Sequence, residues 1–372
     1  MDQLPLDGVR VLDLTRGIPG GYCTLALAQL GADVVKVEAP GTGDTLRGRP
    51  HDAPSALHVG LGRGKRSITL DVRAPGAAQV VARLVPHFDA LVESARPGTP
   101  AVAGFGREEA RALNPRLVWA SLTGFGTDGP YAPRPGHDVT FLGHSGLLAA
   151  LTASEPVMPD AMLAVPVGAL AAAFGIVAAV LGAVRHGRAL PVDAAITEAS
   201  TWLLGAEAAE SPRRGMGWTA GRRLYRCADG RFVTVAAAEP RTWRALCDAL
   251  GTPDWYDRLG DGPAGQREMA ERFEAVFASR PATHWVDGSP DATIGAVHRS
   301  LADLAGDAQA AARGAVGEVA GHRVPGPPVR VGGAGDGASS APPGIGASTD
   351  AVLAGAGFTP EEVAALRRAG VV

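Results

Sequence analysis

The sequence predicts an α/β fold in which a parallel sheet is covered by helices on both faces. Short apolar runs of strand length alternate with longer segments of helical periodicity through the first 121 residues. Glycines stand at several junctions between the two kinds of segment. With 372 residues, of which 46% are hydrophobic, the chain can bury a large core and form two or three structural units.

The first predicted elements are a strand, a turn, a helix and a second strand. Residues 9–14 read as the strand, residues 17–21 as a glycine-bearing turn, and residues 23–30 as a helix that Gly31 ends. Residues 32–38 read as the next strand. This order is a βαβ unit, and its two strands run parallel because a helical crossover returns the chain to the same edge.

The alternation then repeats, which extends the parallel sheet. Strands are predicted at residues 67–70, 90–93 and 117–121, with helices at residues 74–85 and near residues 108–113. Strands separated by helices imply helices on both faces of one sheet.

An uncharged stretch, residues 162–184, is long enough to cross a bilayer. It is rich in alanine and carries Pro166, Gly168, Gly175 and Gly182, so its transfer hydrophobicity is weak. The sequence therefore predicts a buried helix and no membrane partner.

A second, smaller unit follows a predicted linker at residues 215–221. Its predicted elements are a strand at residues 232–235 and helices at residues 243–250 and 268–279. Residues 325–348 are dominated by Gly, Pro, Ala and Ser, which favours an extended connection. The chain becomes helical again from residue 349, with Thr359 as an N-cap and Pro360 at the first helical position.

Charge and cysteine content narrow the function classes. The formal net charge is −3, which provides no field to attract nucleic acid or an anionic membrane surface. The three cysteines have no metal-ligand spacing and are an odd number, so neither a zinc site nor a disulfide scaffold is expected. No basic segment followed by an apolar one marks a secretory signal near Met1, so we expect a cytoplasmic protein that binds small molecules.

Two glycine motifs suggest nucleotide binding but fail on context. Residues 124–129 match the dinucleotide fingerprint after a strand, yet Pro130 and Pro133 follow where its helix would begin. Residues 64–67 lack the upstream glycine of a phosphate loop and have Arg66 at its Ser/Thr position. The second segment is better described as a basic loop, which still permits ordinary phosphate contacts.

The chain resembles the family III CoA-transferases, also known as the CaiB/BaiF superfamily, nearly from end to end. The landmarks are residues 5–14 (PLDGVRVLDL), 30–38 (LGADVVKVE), 43–44 (GD), 63–67 (RGKRS), 114–117 (NPRL), 124–126 (GFG), and the last helices from residue 349. Several independent motifs in the right order make the resemblance specific. In motif the chain is most similar to the α-methylacyl-CoA racemase branch.

The resemblance implies a Rossmann-like large α/β domain with a parallel sheet, formed by residues 1–204 and completed by residues 349–372. A smaller α+β domain would span residues 225–324, with a linker at 205–224 and a return linker at 325–348. Two such chains would thread through each other as an interlocked homodimer. Coenzyme A would enter as part of the substrate, with no separate cofactor, and the active site would combine both subunits.

The resemblance also implies where CoA binds. Its contacts would come from the turn at residues 17–21, the segment 96–98 and the end of the fifth strand, with candidate residues Ile18, Arg47, Arg63, Lys65, Arg66, Arg96 and Gly124. The basic side chains among them are available for phosphates, and the alternative is that they form a solvated rim. Ala39 stands where many relatives have a basic residue.

A histidine and a glutamate match the racemase branch. His137 lies in the segment Gly136-His137-Asp138, and Glu239 lies in Ala238-Glu239-Pro240. In that branch the two form an acid/base dyad, and histidine is the usual base near neutral pH. Asp138 would support the loop. The alternatives are that His137 caps a turn and that Glu239 is a first-turn acid of the following helix.

The second catalytic carboxylate of the family is missing. Counting back from Gly175, it would fall at Val165, or at Ala164 with a shift of one residue. Neither side chain can carry a proton or form an acyl anhydride. Asp160 is the nearest carboxylate; a short indel would place it in the site, and otherwise it is a turn residue.

Three hypotheses follow. The first is a racemase-like isomerase in which His137 transfers a proton at the α-carbon of a CoA thioester. The second is a CoA-transferase that uses Asp160 as a relocated nucleophile. The third is a repurposed member that acts without CoA, or that binds a ligand without catalysis.

Overall fold

The structure is a computed structural model in which residues 3–48, 54–151, 155–205, 219–332 and 335–372 are described. The described chain separates into two compact units. The larger contains the described residues of 3–151, 156–205 and 308–372, and the smaller contains Glu155 and residues 219–307.

A six-stranded sheet forms the centre of the larger unit. Its strands are β1 (Arg10–Asp13), β2 (Asp33–Glu38), β3 (Arg66–Thr69), β4 (Ala90–Glu93), β5 (Val118–Thr123) and β6 (Val192–Ala195). They lie in the order β3-β2-β1-β4-β5-β6, and every neighbouring pair is parallel. This confirms the predicted parallel sheet. The strand order reverses between β1 and β4, and such a switch point opens a crevice at the carboxyl ends of the strands.

Helices cover both faces of this sheet, as predicted. The larger unit begins with α1 (Gly17–Gln29), α2 (Ala56–Gly62), α3 (Ala77–Leu84), α4 (Arg107–Leu113), α5 (Asp138–His144), α6 (Leu147–Ala150), α7 (Ala164–His186) and α8 (Ile196–Trp202). Helices α1 and α7 pack on the face that carries Val11 and Val92. Helix α3 packs on the face that carries Leu12 and Leu91. The strands are apolar on both sides because both faces are buried.

Helix α7 is the helix of the described chain that is long and apolar enough to span a bilayer. One face carries Gly168, Ala172 and Ile176 and is buried in the core. The opposite face is exposed, so the predicted burial holds for only part of the helix. A cluster of small residues allows the close approach on the buried side: a Cβ on Gly168 would lie 2.7 Å from the side chain of Ile196.

The smaller unit combines a three-stranded antiparallel sheet with helices. Its elements are β7 (Arg222–Arg226), β8 (Phe232–Ala236), α9 (Pro240–Ala249), α10 (Pro263–Phe277), α11 (Ala282–Gly288), β9 (Ile294–Ala296) and α12 (Leu301–Leu304). Trp243, Phe273 and Phe277 are fully buried at its centre. Strands β7 and β9 were not predicted, and β7 begins within the predicted linker 205–224, most of which lies outside the described residues.

The chain then returns to the larger unit. Helix α13 (Ala308–Ala312) precedes a hairpin of β10 (Val316–Val319) and β11 (His322–Pro325), which the sequence had placed in the small domain. The boundary differs because Val319 and Val324 pack on Val59 of α2.

Two helices close the larger unit. The described residues of 326–348 contain no helix or strand. Helices α14 (Thr349–Gly355) and α15 (Pro360–Arg368) pack on the same sheet face as α3. Thr359 caps α15 by accepting the N–H of Glu362, as predicted.

Candidate active site

A cavity of about 740 Å³ lies at the carboxyl ends of the first four strands. It opens between the segments that follow β1 and β4, where the strand order reverses. Its size is that of a small-molecule ligand pocket, and a switch point is where parallel α/β sheets bind ligands. The fold therefore places a binding crevice at this edge of the sheet.

Three arginines line this cavity. They are Arg16 after β1, Arg73 after β3 and Arg96 after β4, and none forms an ion pair within the described part of the chain. Guanidinium groups without a protein carboxylate are suited to bind an anionic ligand, above all phosphate. Arg96 was predicted from the sequence. Arg16 and Arg73 were not, although the rule that ligands bind after the strands flanking a switch point would have indicated Arg16.

The segments that carry Arg16 and Arg96 are bonded to each other. The backbone N–H of Arg16 donates to Ser94 Oγ at 3.0 Å, and the N–H of Ala95 donates to Glu93 Oε2 at 2.6 Å. Burial raises the pKa of the Glu93 carboxyl, although its hydrogen bonds to Ser121 and Ala95 oppose the shift. The two sides of the cavity mouth are therefore held in one arrangement.

Residues 17–21, predicted as a turn, form the first turn of α1. Gly20 permits this, because a Cβ there would lie 1.8 Å from the Oγ1 of Thr15. Ile18 lies half-buried in this turn and packs against the core. A contact between Ile18 and CoA stays a prediction.

The basic residues predicted to be available for phosphates have partners within the chain, and their contact with CoA stays a prediction. Arg47 binds the Glu38 carboxylate through two nitrogens at 2.5 and 2.6 Å. Arg63 is 1% exposed and donates to the carbonyl of Pro325 at 2.7 Å.

The other two cations of the group are also engaged. Lys65 is buried and donates to Thr24 Oγ1 at 2.7 Å, and Arg66 pairs with Asp33 at 3.1 Å. The sequence shows four cations but not their acceptors, which come from other elements of the fold.

Gly124 has a packing role at the end of β5. A Cβ on Gly124, or on Gly136, would lie 2.4 Å from a ring carbon of Phe141. The Gly124 carbonyl accepts the N–H and the hydroxyl of Thr197 at 3.1 and 3.0 Å. The close approach explains both glycines without a ligand, and contact between Gly124 and CoA stays a prediction.

His137 is exposed and immediately precedes α5. Asp138, the first residue of α5, is anchored to the start of another helix: its carboxylate accepts the N–H of Leu163 at 3.1 Å and of Val165 at 2.7 Å. These are orphan donors at the N-terminus of α7. Asp138 therefore fixes the segment that carries His137 to the beginning of α7, and its supporting role in the reaction stays a prediction.

The position of the missing family carboxylate lies at the same place. Ala164 and Val165 are the first residues of α7, and both are buried in the apolar core. Asp160 is exposed in a bend that precedes this helix. The Asp138 carboxylate, rather than a side chain of α7, thus occupies the helix N-terminus.

Two further ring groups, His144 and Tyr131, lie in the sequence on either side of His137. His144, at the end of α5, packs edge-on against Phe125 with ring centres 5.3 Å apart, and Tyr131 lies 5.0 Å away. His144 is therefore part of an aromatic cluster.

Glu239 is exposed in the smaller unit and is the N-cap residue of α9. Its Oε2 accepts the hydroxyl of Thr242 at 3.1 Å, and its N–H donates to the same hydroxyl at 3.3 Å. As the N-cap, Glu239 stands one residue before the first turn of α9, its carboxylate is exposed, and its catalytic role stays a prediction.

Comparisons with known proteins agree with this architecture. The chain is 33% identical to human α-methylacyl-CoA racemase over 301 residues, which cover 76% of this chain and 74% of that protein. It is 32% identical to Rv3272 of Mycobacterium tuberculosis, a probable fatty acyl-CoA transferase, over 316 residues, which cover 76% of this chain and 79% of that protein. The crystal structure of a CaiB/BaiF family protein from Brucella suis matches with a TM-score of 0.80 and 26% identity, over 95% of this chain and all (100%) of that one.

The profile of CoA-transferase family III matches residues 6–349. Racemases and CoA-transferases both occur among the relatives, so the matches support an enzyme that processes acyl-CoA. The chain belongs to CoA-transferase family III.

Proposed function

We propose that this protein binds an acyl-CoA in the switch-point cavity and transfers a proton at the α-carbon of the thioester. The observation that carries the proposal is the cavity itself, lined by Arg16, Arg73 and Arg96, which form no ion pair with any described residue. Coenzyme A carries three phosphate groups, and guanidinium groups bind phosphate through paired charge-assisted hydrogen bonds. Because CoA enters with the substrate, the reaction requires no separate cofactor.

His137 is the proposed proton-transfer group. Removing the α-proton of a thioester yields an enolate, and returning a proton to that carbon completes the reaction. A two-base racemase needs a second acid or base on the opposite face, where the family places a carboxylate. The apolar Val165 at that position favours chemistry from one face, such as stereospecific protonation or double-bond migration.

Covalent CoA transfer is the second candidate. It requires a carboxylate nucleophile, and Asp160 is the candidate because it is exposed just ahead of α7. The third candidate, ligand binding without catalysis, predicts affinity for the ligand with no proton exchange or transfer.

We also propose that the chain acts as an interlocked homodimer in which Glu239 of the partner subunit orients His137. An exposed apolar stripe on α7 supports association: Leu170, Phe174, Leu181 and Val184 are 49–78% exposed and recur at helical spacing. Light scattering is expected to report a dimer that resists dilution. A stable folded monomer would contradict the proposal.

His137→Ala tests the chemistry. We expect turnover to fall by about two to four orders of magnitude while the affinity for acyl-CoA stays nearly unchanged, which is the usual size of an acid/base contribution. His144→Ala is the matched control, because it removes the histidine at the other end of α5. If the control loses activity and His137→Ala does not, the assignment of His137 is wrong.

Two assays and one variant separate the candidates. Deuterium wash-in at the α-carbon supports proton transfer, and label exchange between free acid and acyl-CoA supports CoA transfer. Asp160→Ala is expected to leave wash-in near the wild-type rate, because His137 acts from one face. A collapse equal to that of His137→Ala would instead restore a scheme with two groups. Failure to bind any acyl-CoA at millimolar concentration would refute the proposed binding site.

We also propose that the reaction takes place in the cytoplasm.

A further inference from the structure

A buried carboxylate holds the turn between β1 and α1. Asp13, the last residue of β1, is fully buried, and its Oδ1 accepts the N–H of Thr15 at 2.9 Å and the Thr15 hydroxyl at 2.5 Å. Its Oδ2 accepts the hydroxyl of Thr24 at 2.6 Å. Lys36 and Lys65 approach the same carboxylate at 3.4 and 3.8 Å. Asp13 is therefore the centre of a closed polar network.

Lys65 connects this network to the first turns of α1. Its Nζ donates to Thr24 Oγ1 at 2.7 Å and to the carbonyl of Gly21 at 3.2 Å. Lys36 donates to the carbonyl of Thr15, the residue before Arg16. The two lysines thus hold the backbone on either side of the turn that presents Arg16 to the cavity.

The same network reaches the cavity wall. Asp44 lines the cavity, pairs with Lys36 at 3.6 Å and accepts the N–H of Gly17 at 3.3 Å. Buried ion pairs contribute little net stability compared with apolar packing. Their presence at the edge of the cavity therefore indicates that they hold the residues of the cavity wall in place. The turn that carries Arg16 and the wall that carries Asp44 are therefore both bonded to the network around Asp13.

The charge balance of this network depends on Lys65. The charged or titratable groups that face Lys65 are Asp13 from β1, Lys36 from β2, Asp44 from the turn after β2, Cys23 from α1 and His58 from α2. Burial raises the pKa of the Cys23 thiol and lowers that of His58, so both are neutral at slightly alkaline pH. Two carboxylates then face two ammonium groups. Loss of the Lys65 proton leaves one net negative charge beside the arginines.

We propose that Lys65 is a positioning residue: it fixes the first turn of α1 and the charge of the cavity wall, and so makes the binding of a phosphate-bearing ligand depend on pH. This inference rests on the proposed function, because the ligand is an acyl-CoA. Burial lowers the pKa of Lys65 to about 8, against the attraction of Asp13, which brings the expected change into an accessible range. The phosphates would contact Arg16, and Lys65 would act through the turn.

The experiment is calorimetric titration with acetyl-CoA, whose thiol is blocked and whose phosphate monoester, with a second pKa of about 6, is mostly ionised across the range. Wild-type protein, Lys65→Met, Lys65→Arg and Arg107→Met are compared at about pH 7 and about pH 9.5, on either side of the Lys65 transition. Arg107→Met is the matched control, because it removes one exposed positive charge on α4.

We expect the wild-type Kd to weaken about three- to tenfold at the higher pH, the size of one unscreened charge near the site. Lys65→Met should bind weakly at both pH values, Lys65→Arg tightly at both, and Arg107→Met like the wild type. Parallel pH profiles for wild type and Lys65→Met would overturn the inference while leaving the proposed function intact. If Lys65→Met does not fold, identical profiles for wild type and Lys65→Arg overturn it equally. Absence of any wild-type binding would refute the proposed function and this inference with it.

Discussion

The most direct prediction concerns Asp138, the first residue of α5, whose carboxylate lies at the N-terminus of α7. In Asp138→Ala, the N–H groups of Leu163 and Val165 lose their acceptors, at 3.1 and 2.7 Å in the wild type. Loss of an N-cap acceptor costs about 0.5–2 kcal/mol, and loss of a negative charge at a helix N-terminus adds about 0.3–1 kcal/mol. We expect Asp138→Ala to lower the free energy of unfolding by about 1–3 kcal/mol.

Thermal unfolding measures this effect. For a unit of this size, 1 kcal/mol corresponds to about 2–4 °C in Tm, so a loss of about 1–3 kcal/mol lowers Tm by roughly 2–12 °C. Asp138→Asn is the matched variant, because it keeps one carbonyl oxygen as an acceptor and removes the charge. Since the two N–H groups bind different carboxylate oxygens, Asp138→Asn should lose about half as much stability as Asp138→Ala.

The turnover of the Asp138 variants shows whether Asp138 only supports the loop or takes part in the reaction. If Asp138 only holds the segment that carries His137, its loss should reduce turnover less than His137→Ala does, about tenfold to a hundredfold, as for a small misplacement. An unchanged Tm in Asp138→Ala would refute the capping argument. An unchanged Tm together with a loss as large as that of His137→Ala would make Asp138 a participant in the reaction.

Two further predictions address packing and pH. In Gly124→Ala the new methyl group would lie 2.4 Å from the Phe141 ring. Overpacking of this kind costs about 1–3 kcal/mol, which should appear as a lower urea midpoint with an unchanged m value. An unaffected midpoint would show that the Phe141 ring moves freely. Lys65 has a folded-state pKa of about 8, below its ordinary 10.5, so the unfolded chain holds more protons between these values and stability should rise with pH in that window. The gain attributable to Lys65 is about 3 kcal/mol at most, and it should appear as a difference between wild type and Lys65→Met, whose own stability curve should lack it.

The sequence by itself determined the family and the first five strands of the larger unit. The alternation of apolar strands and helices predicted β1 to β5 within one or two residues, because periodicity and glycine positions are local properties. The capping pattern at Thr359 was equally local and is confirmed. The strands β6, β7, β9, β10 and β11 were missed, because their sequences (VDAA, RRLYR, IGA, VGEV and HRVP) contain charged residues, Gly, Ala or Pro, which give a weak β signal.

Only the tertiary structure decided the roles of individual charged residues. Arg63 and Lys65 have the composition of a solvated, phosphate-binding loop, yet the fold buries both. Their partners come from residues far away in the sequence, 262 positions for Arg63 and Pro325, and 41 for Lys65 and Thr24. Arg16, Arg73 and Arg96, which have no ion-pair partner among the described residues, come together only because β1, β3 and β4 end at one edge of the sheet, and strand order is a property of the whole fold.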